Sequence, residues 1–263
     1  MLIDTHAHLQ SEEFKDDWRE VLDRAGEQSV THVILPGSDL DDSRRALAMA
    51  AADDRLFCSI GVHPHEAKYF SGDTESALEA LIQAAPEGKL VAIGEIGLDY
   101  HYDLSPRPLQ QSVFRAQIEL AARHDLPLII HLREATADCL TLLQTASRDG
   151  LMRKSEPGVV HCFSGSPETA ETLLDLGFYL GFDGPVTFKN ARRALDVVRM
   201  CPRDRLLLET DSPYLTPEPY RGKRNEPSRL PLIAARIAEL WKSEVQTVAR
   251  QTTDNARKLF GIL

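Results

Sequence analysis

Cysteine is scarce in this chain, four in 263 residues, and none of the four sits in a CxxC pair. Cys58, Cys139, Cys162 and Cys201 lack the density of a disulfide-stapled secreted domain and the spacing of a thiolate zinc site, so they read as reduced thiols. Long apolar runs are missing as well. LPLII at 126–130 falls far short of the ~20 residues that a membrane-spanning helix needs. The opening MLIDTHAH has no basic stretch followed by an apolar core, so no export signal is read there. The expected location is the cytoplasm, with no membrane association. Cations are the minority, 30 Lys and Arg against 40 Asp and Glu, for a formal net charge of −10. That balance argues against a protein that coats nucleic acid through a basic surface. It leaves room for an enzyme acting on nucleic acid, because divalent ions and a local basic loop hold phosphate against an acidic background. Linkers, low-complexity tracts and short repeats are absent too. Residues 1–263 therefore read as one domain with no obligate protein partner.

What the sequence does contain is an alternation. Short β-prone apolar runs fall at 2–8, 32–36, 57–62, 90–97, 127–132, 158–163, 178–182 and 205–209. Between them, apolar residues recur at helical spacing over 41–53, 74–85, 109–124, 135–149, 166–176 and 190–200. Ser105-Pro106 and Ser166-Pro167 each read as an N-cap followed by proline in the first helical position. Strand followed by helix, repeated over this length, predicts an α/β fold of the (β/α)8 TIM-type barrel. The competing doubly wound open sheet would carry a Gly-rich phosphate turn after its first strand, and LIDTHAHLQSEE has none. Residues 228–263 read as the eighth barrel helix and one more that closes the barrel.

Active sites of such barrels sit at the C-terminal ends of the strands. His6 and His8 fall at the first of these ends, two residues apart and so on one face of a strand. Alone, they are either a metal-ligand pair or two polar side chains at a strand end. Later strands bring His63 and His65 in GVHPH, Glu95 in GEIGLD, His131, His161, and Glu209 with Asp211 in LLLETDSPYL. His101, in LDYHYD, stays undecided, while His32 and His124 read as structural. So many histidines on one mouth cannot each be an incidental polar residue, since every buried polar group needs a partner. A metal centre is the economical explanation, and imidazole with carboxylate suits Zn, Mn, Co, Fe or Mg. His6, His8, Glu95, His131, His161 and Asp211 carry two formal negative charges among them. Two divalent ions would leave a positive surplus for a hydroxide and a substrate oxyanion. Cys162 adjoins His161, but neighbours in a strand point to opposite faces, so it is assigned to the core rather than to nucleophilic chemistry.

DTHAHL, GVHPH, GEIGLDY, PLIIHLREA, HCFSGS, TFKN and LLLETDSPYL, in that order, together resemble the TatD family of metal-dependent hydrolases across residues 2–225. YRGKRNEP at 220–227 and VTFKNA at 186–191 make its YcfH-like branch the nearest likeness. The resemblance implies a hydrolase with two divalent ions (Mg, Mn or Zn), most often a deoxyribonuclease, with 3'-5' exonuclease action among its forms. DNA or another phosphodiester is then the substrate. By position, His6, His8 and Asp211 match the ligands of the first metal, and His131 and His161 those of the second. Glu95 matches the bridging carboxylate, where related amidohydrolases carry a modified lysine. Asp211, Glu95 and His63 are the implied catalytic groups, His63 resembling the family's phosphate-facing histidine. His65, Arg133, Arg221, Lys223 and Arg224 are further candidates for binding substrate. Asp4 and Glu209, each two residues before a ligand, are candidates for orienting it from deeper in the barrel. Two rival readings remain: hydrolysis of an ester, amide or aminoacyl bond on the same metals, and a metal-binding protein without turnover. The second predicts a broken ligand set, and this one is complete.

Overall fold

The computed structural model describes residues 1–262. Eight strands run β1 Leu2–Asp4, β2 Val30–Pro36, β3 Leu56–Ile60, β4 Leu90–Asp99, β5 Leu128–Arg133, β6 Gly158–Val160, β7 Tyr179–Phe182 and β8 Leu206–Leu208. The helices are α1 Trp18–Glu27, α2 Leu40–Ala52, α3 Gly72–Ala84, α4 Arg107–Arg123, α5 Thr136–Arg148, α6 Pro167–Asp175, α7 Arg192–Met200, α8 Leu230–Trp241 and α9 Val245–Phe260. Each strand pairs in parallel with the next in sequence order. Parallel neighbours need a crossover, which the intervening helix supplies. The first and last strands meet through the segments just beyond them. Thr5 N donates to Leu208 O at 3.1 Å, Asp211 N to His6 O at 2.9 Å and His8 N to Ser212 O at 2.7 Å. These bonds turn the sheet into the expected (β/α)8 barrel. No helix among the described residues is long and apolar enough to cross a membrane.

The barrel interior explains why the site lies where it does. Ile3, Ile34, Ala92, Ile129, Val159, Tyr179 and Leu207 form one buried cluster, and Leu259, Phe260 and Ile262 at the end of α9 complete it. Only inward-facing side chains of so many strands can touch one another, so this is the lower filling of the barrel, and α9 plugs that end. Two residues further along a strand, on the same face, the side chains become polar. Val159 is followed by His161, Ile129 by His131, and Leu207 by Glu209. The fold thus converts period-two alternation into an apolar floor with a polar mouth above it.

The predicted boundaries shift in two informative places. β1 stops at Asp4, and His6 and His8 lie beyond it in a segment that bends at Thr5, rather than inside a strand over 2–8. Ser166 caps α6 as expected, its hydroxyl accepting from Thr169 N. Ser105 does not cap α4. Its hydroxyl donates to His65 O at 2.7 Å and accepts from Lys68 N, so it fastens the segment after β3 instead.

Candidate metal centre

Glu95, near the middle of β4, stands at the centre of the mouth and divides it. Its Oε2 lies 3.4 Å from His6 Nε2 and 3.8 Å from His8 Nε2. Its Oε1 lies 2.8 Å from His161 Nε2, 2.9 Å from His131 Nδ1 and 3.5 Å from His63 Nε2. Asp211 Oδ1 joins the first group, 3.4 Å from His8 Nε2 and 3.8 Å from His6 Nε2, while those two nitrogens are 3.3 Å apart. Donors held about 2.1 Å from one tetrahedral ion stand about 3.4 Å from one another, so the first group has the spacing of a divalent-ion site. The second group has the same 3.3 Å between its nitrogens, His131 Nδ1 and His161 Nε2, but closes more tightly on Glu95, at 2.9 and 2.8 Å. The histidine-containing donor sets close enough to hold an ion are His6, His8 and Glu95, then His63, Glu95 and His131, and a third, His6, His161 and Asp211, that joins the two groups, the His6 and His161 rings being stacked at 3.9 Å.

The charges are arranged to match. Burial pushes the Glu95 carboxyl up, yet His161, His63, His6 and His131 around it hold it well below the usual range. Burial likewise raises Asp211, and His8, His6 and His161 bring it down below its ordinary value. Both carboxylates are ionised. Burial lowers His6 and His63 to about 4, leaving neutral imidazoles, and the Nδ1 lone pair of His63 accepts from His65 N at 3.2 Å. Burial works against the charged form of His131 too, but Asp99 and Glu95 raise it to about 9. The mouth therefore carries enough negative charge to draw a proton onto a buried imidazole, which is the demand a bound cation would meet.

Asp99 is the residue that sequence reasoning missed. Its Oδ2 accepts from His131 Nε2 at 3.0 Å and His65 Nε2 at 2.9 Å, and its Oδ1 from the backbone of His101 and Tyr102. A carboxylate on the far nitrogen fixes the ring and keeps the near nitrogen aimed at the centre. The signal was available: Asp99 continues the strand face of Glu95 and Gly97 once β4 is allowed to run to its tenth residue. Asp99→Asn keeps the size and removes the charge. It is expected to weaken metal binding at the His131 side about 10–100-fold, read by competition with a fluorescent chelator; unchanged affinity would refute the role.

The remaining candidates fall into place around this centre, some differently from expectation. Asp4 makes no hydrogen bond to an imidazole among the described residues and reaches His6 through its backbone. Its carboxylate accepts from Thr210 Oγ1 at 2.6 Å, Thr210 N at 2.9 Å and His6 N at 3.3 Å, tying the end of β1 to the segment after β8. Glu209 lies fully buried behind His161, its Oε1 3.8 Å from that ring's Nδ1 and accepting from Cys162 N. Cys162 is not simply a core residue. β6 ends at Val160 and Cys162 adopts φ 46°, so strand alternation no longer separates it from His161. Its sulfur clusters with Asp183 and Asp211. Burial and these carboxylates push the thiol well above its ordinary pKa, which favours the protonated thiol over a thiolate. Asp183, also missed by sequence reasoning, is raised to about 8 by burial and Asp211.

Arg224 binds Asp17 at 2.6 Å and the Glu13 carbonyl, so it pins its loop to the segment before α1 while still lining a cavity beside Tyr214. Arg221 lies over the Phe188 ring at 4.3 Å and Lys223 over Tyr220 at 5.7 Å, and both line that same cavity, of about 530 Å³. Arg133 lies over Tyr102 at 4.7 Å. His101 pairs with Glu134 at 2.8 Å, away from the centre. His32 and His124 are structural, bonded to Thr31 and to Glu79.

Comparison with known proteins follows the same lines. The family described as TatD related DNase matches residues 3–261. The chain is 45% identical over 262 residues to the uncharacterized metal-dependent hydrolase YabD of Bacillus subtilis (strain 168), covering 100% of both. It is 37% identical to the uncharacterized metal-dependent hydrolase YcfH of Escherichia coli (strain K12), covering 99% of this chain and 96% of that one. The YcfH-like branch is therefore not singled out. The 3'-5' ssDNA/RNA exonuclease TatD of Pantoea ananatis (strain LMG 20103) is also 37% identical, over 100% of both chains. Among solved structures, the TatD homolog YjjV from Escherichia coli K12 superposes with a TM-score of 0.92 at 32% identity, covering 100% of this chain and 98% of that one.

Proposed function

The chain belongs to the TatD-related DNase family of metal-dependent hydrolases, and on that premise we propose that it cleaves phosphodiester bonds of nucleic acid on two divalent ions. One observation carries the reading: the two oxygens of Glu95 face different nitrogen donors, Oε2 toward His6 and His8 and Oε1 toward His131 and His161. His6, His8 and Asp211 would hold one ion and His131 and His161 the other, with Glu95 shared between them. Divalent ions held there would supply water activation near neutral pH and charge neutralisation at phosphate oxygens.

The chain's own groups do the rest. Asp211, ionised and at the rim of the barrel, takes the proton that the attacking water gives up. His63, a neutral imidazole at the edge of the centre, donates a hydrogen bond to a phosphoryl oxygen. Arg221 and Lys223 make no ion pair with a carboxylate among the described residues, which leaves them as counter-charges for neighbouring phosphates. Asp99 keeps His131 in register, and Glu209 backs His161.

The exonuclease name of the Pantoea ananatis relative supports nucleic acid as the substrate, while the YabD match supports hydrolysis more generally. The deciding experiment incubates Mg- or Mn-loaded protein with 5'-labelled single-stranded DNA and RNA, beside a panel of carboxylic and aminoacyl esters. The expected outcome is stepwise shortening of the oligonucleotide from its 3' end, abolished by a chelator and restored by the metal. Turnover of esters with intact oligonucleotides would replace the phosphodiester assignment with carbonyl chemistry on the same centre.

A further inference from the structure

Beyond the donors around Glu95, the chain gathers ligands of a different chemistry where β6, β7 and β8 end. These strands stop at Val160, Phe182 and Leu208. Backbone bonds hold the three segments together past those points, Phe163 N donating to Gly181 O at 2.9 Å and Glu209 N to Phe182 O at 3.1 Å. Cys162 at φ 46° and Asp211 at φ 54° both leave the strand conformation, while Asp183 continues β7 in extended backbone at φ −130°. Cys162 Sγ, one Asp183 oxygen and one Asp211 oxygen thereby come within 4.8 Å of one another. Cys58, Cys139 and Cys201 join no such cluster among the described residues.

Two buried oxygens at this place lack a partner. Asp183 is 3% exposed, and its Oδ2 makes no hydrogen bond among the described residues. Glu209 is fully buried; its Oε1 accepts from Cys162 N, but its Oε2 makes no hydrogen bond. That oxygen fills the space a Cβ on Gly181 would need, and Gly181 shares its strand face with Asp183, so Glu209 underlies the cluster. The ion pairs of these carboxylates run to His6, His8 and His161 and to no lysine or arginine. Buried carboxylates without such a partner are compensated by a proton or by a metal ion. Cys162 tips the balance towards an ion, because thiolate sulfur and carboxylate oxygen are both zinc ligands. We propose that Cys162, Asp183 and Asp211 form a third cation site, beside the two proposed above, for a thiophilic divalent ion such as zinc. Thiolate selects such ions, whereas carboxylate oxygens also serve hard ions such as Mg and Mn. The thiol gives its proton to solvent as the metal–sulfur bond forms. Asp211 is then shared between two ions and is no longer free to take a proton from the attacking water. Resting on that reading of Asp211, occupation of the third site slows the Mg-supported reaction.

Cobalt(II) tests the site on the full chain, because a thiolate ligand gives cobalt an intense near-ultraviolet charge-transfer band that imidazole and carboxylate do not. Wild type, Cys162→Ser and Asp183→Asn are titrated with cobalt, and zinc or Mg is then added in competition. Circular dichroism and melting temperature check that both near-isosteric variants fold. The expected result is a band that saturates at one ion per chain in wild type and is absent from Cys162→Ser. Zinc should bleach it and a large excess of Mg should not. Asp183→Asn should weaken the cobalt that gives the band by at least the roughly 10–100-fold that loss of an outer partner costs. No band at saturating cobalt, a band that survives Cys162→Ser, or unchanged affinity in Asp183→Asn overturns the site. With Mg-loaded protein and single-stranded DNA, zinc should inhibit Cys162→Ser only at concentrations at least ~10-fold above those that inhibit wild type. Equal inhibition overturns the hold of the third site on Asp211. A wild-type chain that gives the band but cleaves no oligonucleotide overturns the phosphodiester reading and leaves the third site standing.

Discussion

Glu95→Ala is expected to empty both halves of the centre at once and to bring hydrolysis down to background. Glu95 turns Oε2 to His6 and His8 and Oε1 to His131 and His161, whereas the Oδ1 of Asp211, the other carboxylate of the ligand set, faces His6 and His8. Removal of Glu95 leaves His6 and His8 with Asp211 on one side and His131 and His161 without any carboxylate between them on the other. Without that shared carboxylate, neither donor group would hold a divalent ion beside a second one against their mutual repulsion. Loss of metal forfeits several kcal/mol of transition-state stabilisation, roughly 10³-fold or more in rate. The fold should survive, because the apolar floor of the barrel and the α9 plug lie at the other end and contain no residue of the centre. Metal content of the purified variant gives the direct readout. Thermal stability gives a second: metal that binds only the folded state raises the melting temperature of wild type and should leave the variant unmoved. Glu95→Gln, which keeps the size but not the charge, should behave the same way. An active Glu95→Ala protein without metal would end the scheme.

Much of this was legible before any coordinates because the barrel repeats one simple rule. Alternation places His131 two residues past Ile129 and His161 two past Val159, so a run of apolar letters that ends in histidine marks both a strand and its mouth. What stayed hidden depends on contacts that periodicity does not encode. Arg224 looked like one of three cations in a loop, yet Asp17, 207 residues away in sequence, holds it. Asp4 shares parity with His6, but the bend at Thr5 turns its carboxylate onto Thr210. Cys162 escaped because the strand was read to 163 and alternation was carried past its true end at Val160. Asp99 and Asp183 were lost the other way round, each lying one or two residues beyond the predicted end of its strand. In all of these, the error came at the C-terminal rim, where the chain leaves regular structure to build the site.

Gly97 shows how tightly that rim is built, and Gly97→Ala is expected to be strongly damaging although the residue has no ligand atom. Gly97 pairs with His131 across the β4–β5 ladder. A Cβ at position 97 would stand 2.0 Å from the His131 carbonyl oxygen, far inside van der Waals contact, and the backbone there has φ 139°, which an L side chain tolerates poorly. Neither strand can yield without moving a functional group, since Glu95 and Asp99 flank Gly97 on one side and His131 sits on the other. Overpacking and backbone strain each cost about 1–3 kcal/mol, so a loss of roughly 2–6 kcal/mol is expected from urea unfolding. Gly88→Ala separates the two contributions: it also has positive φ, 74°, but nothing lies within 4 Å of its Cβ. It should show the strain alone, about 1–3 kcal/mol, with full metal content. In Gly97→Ala the His131–His161 half should lose its ion before the His6–His8 half does, because the displaced ring belongs to the former. Equal stability of the two alanine variants would mean that close approach of β4 to β5 does not set the position of His131.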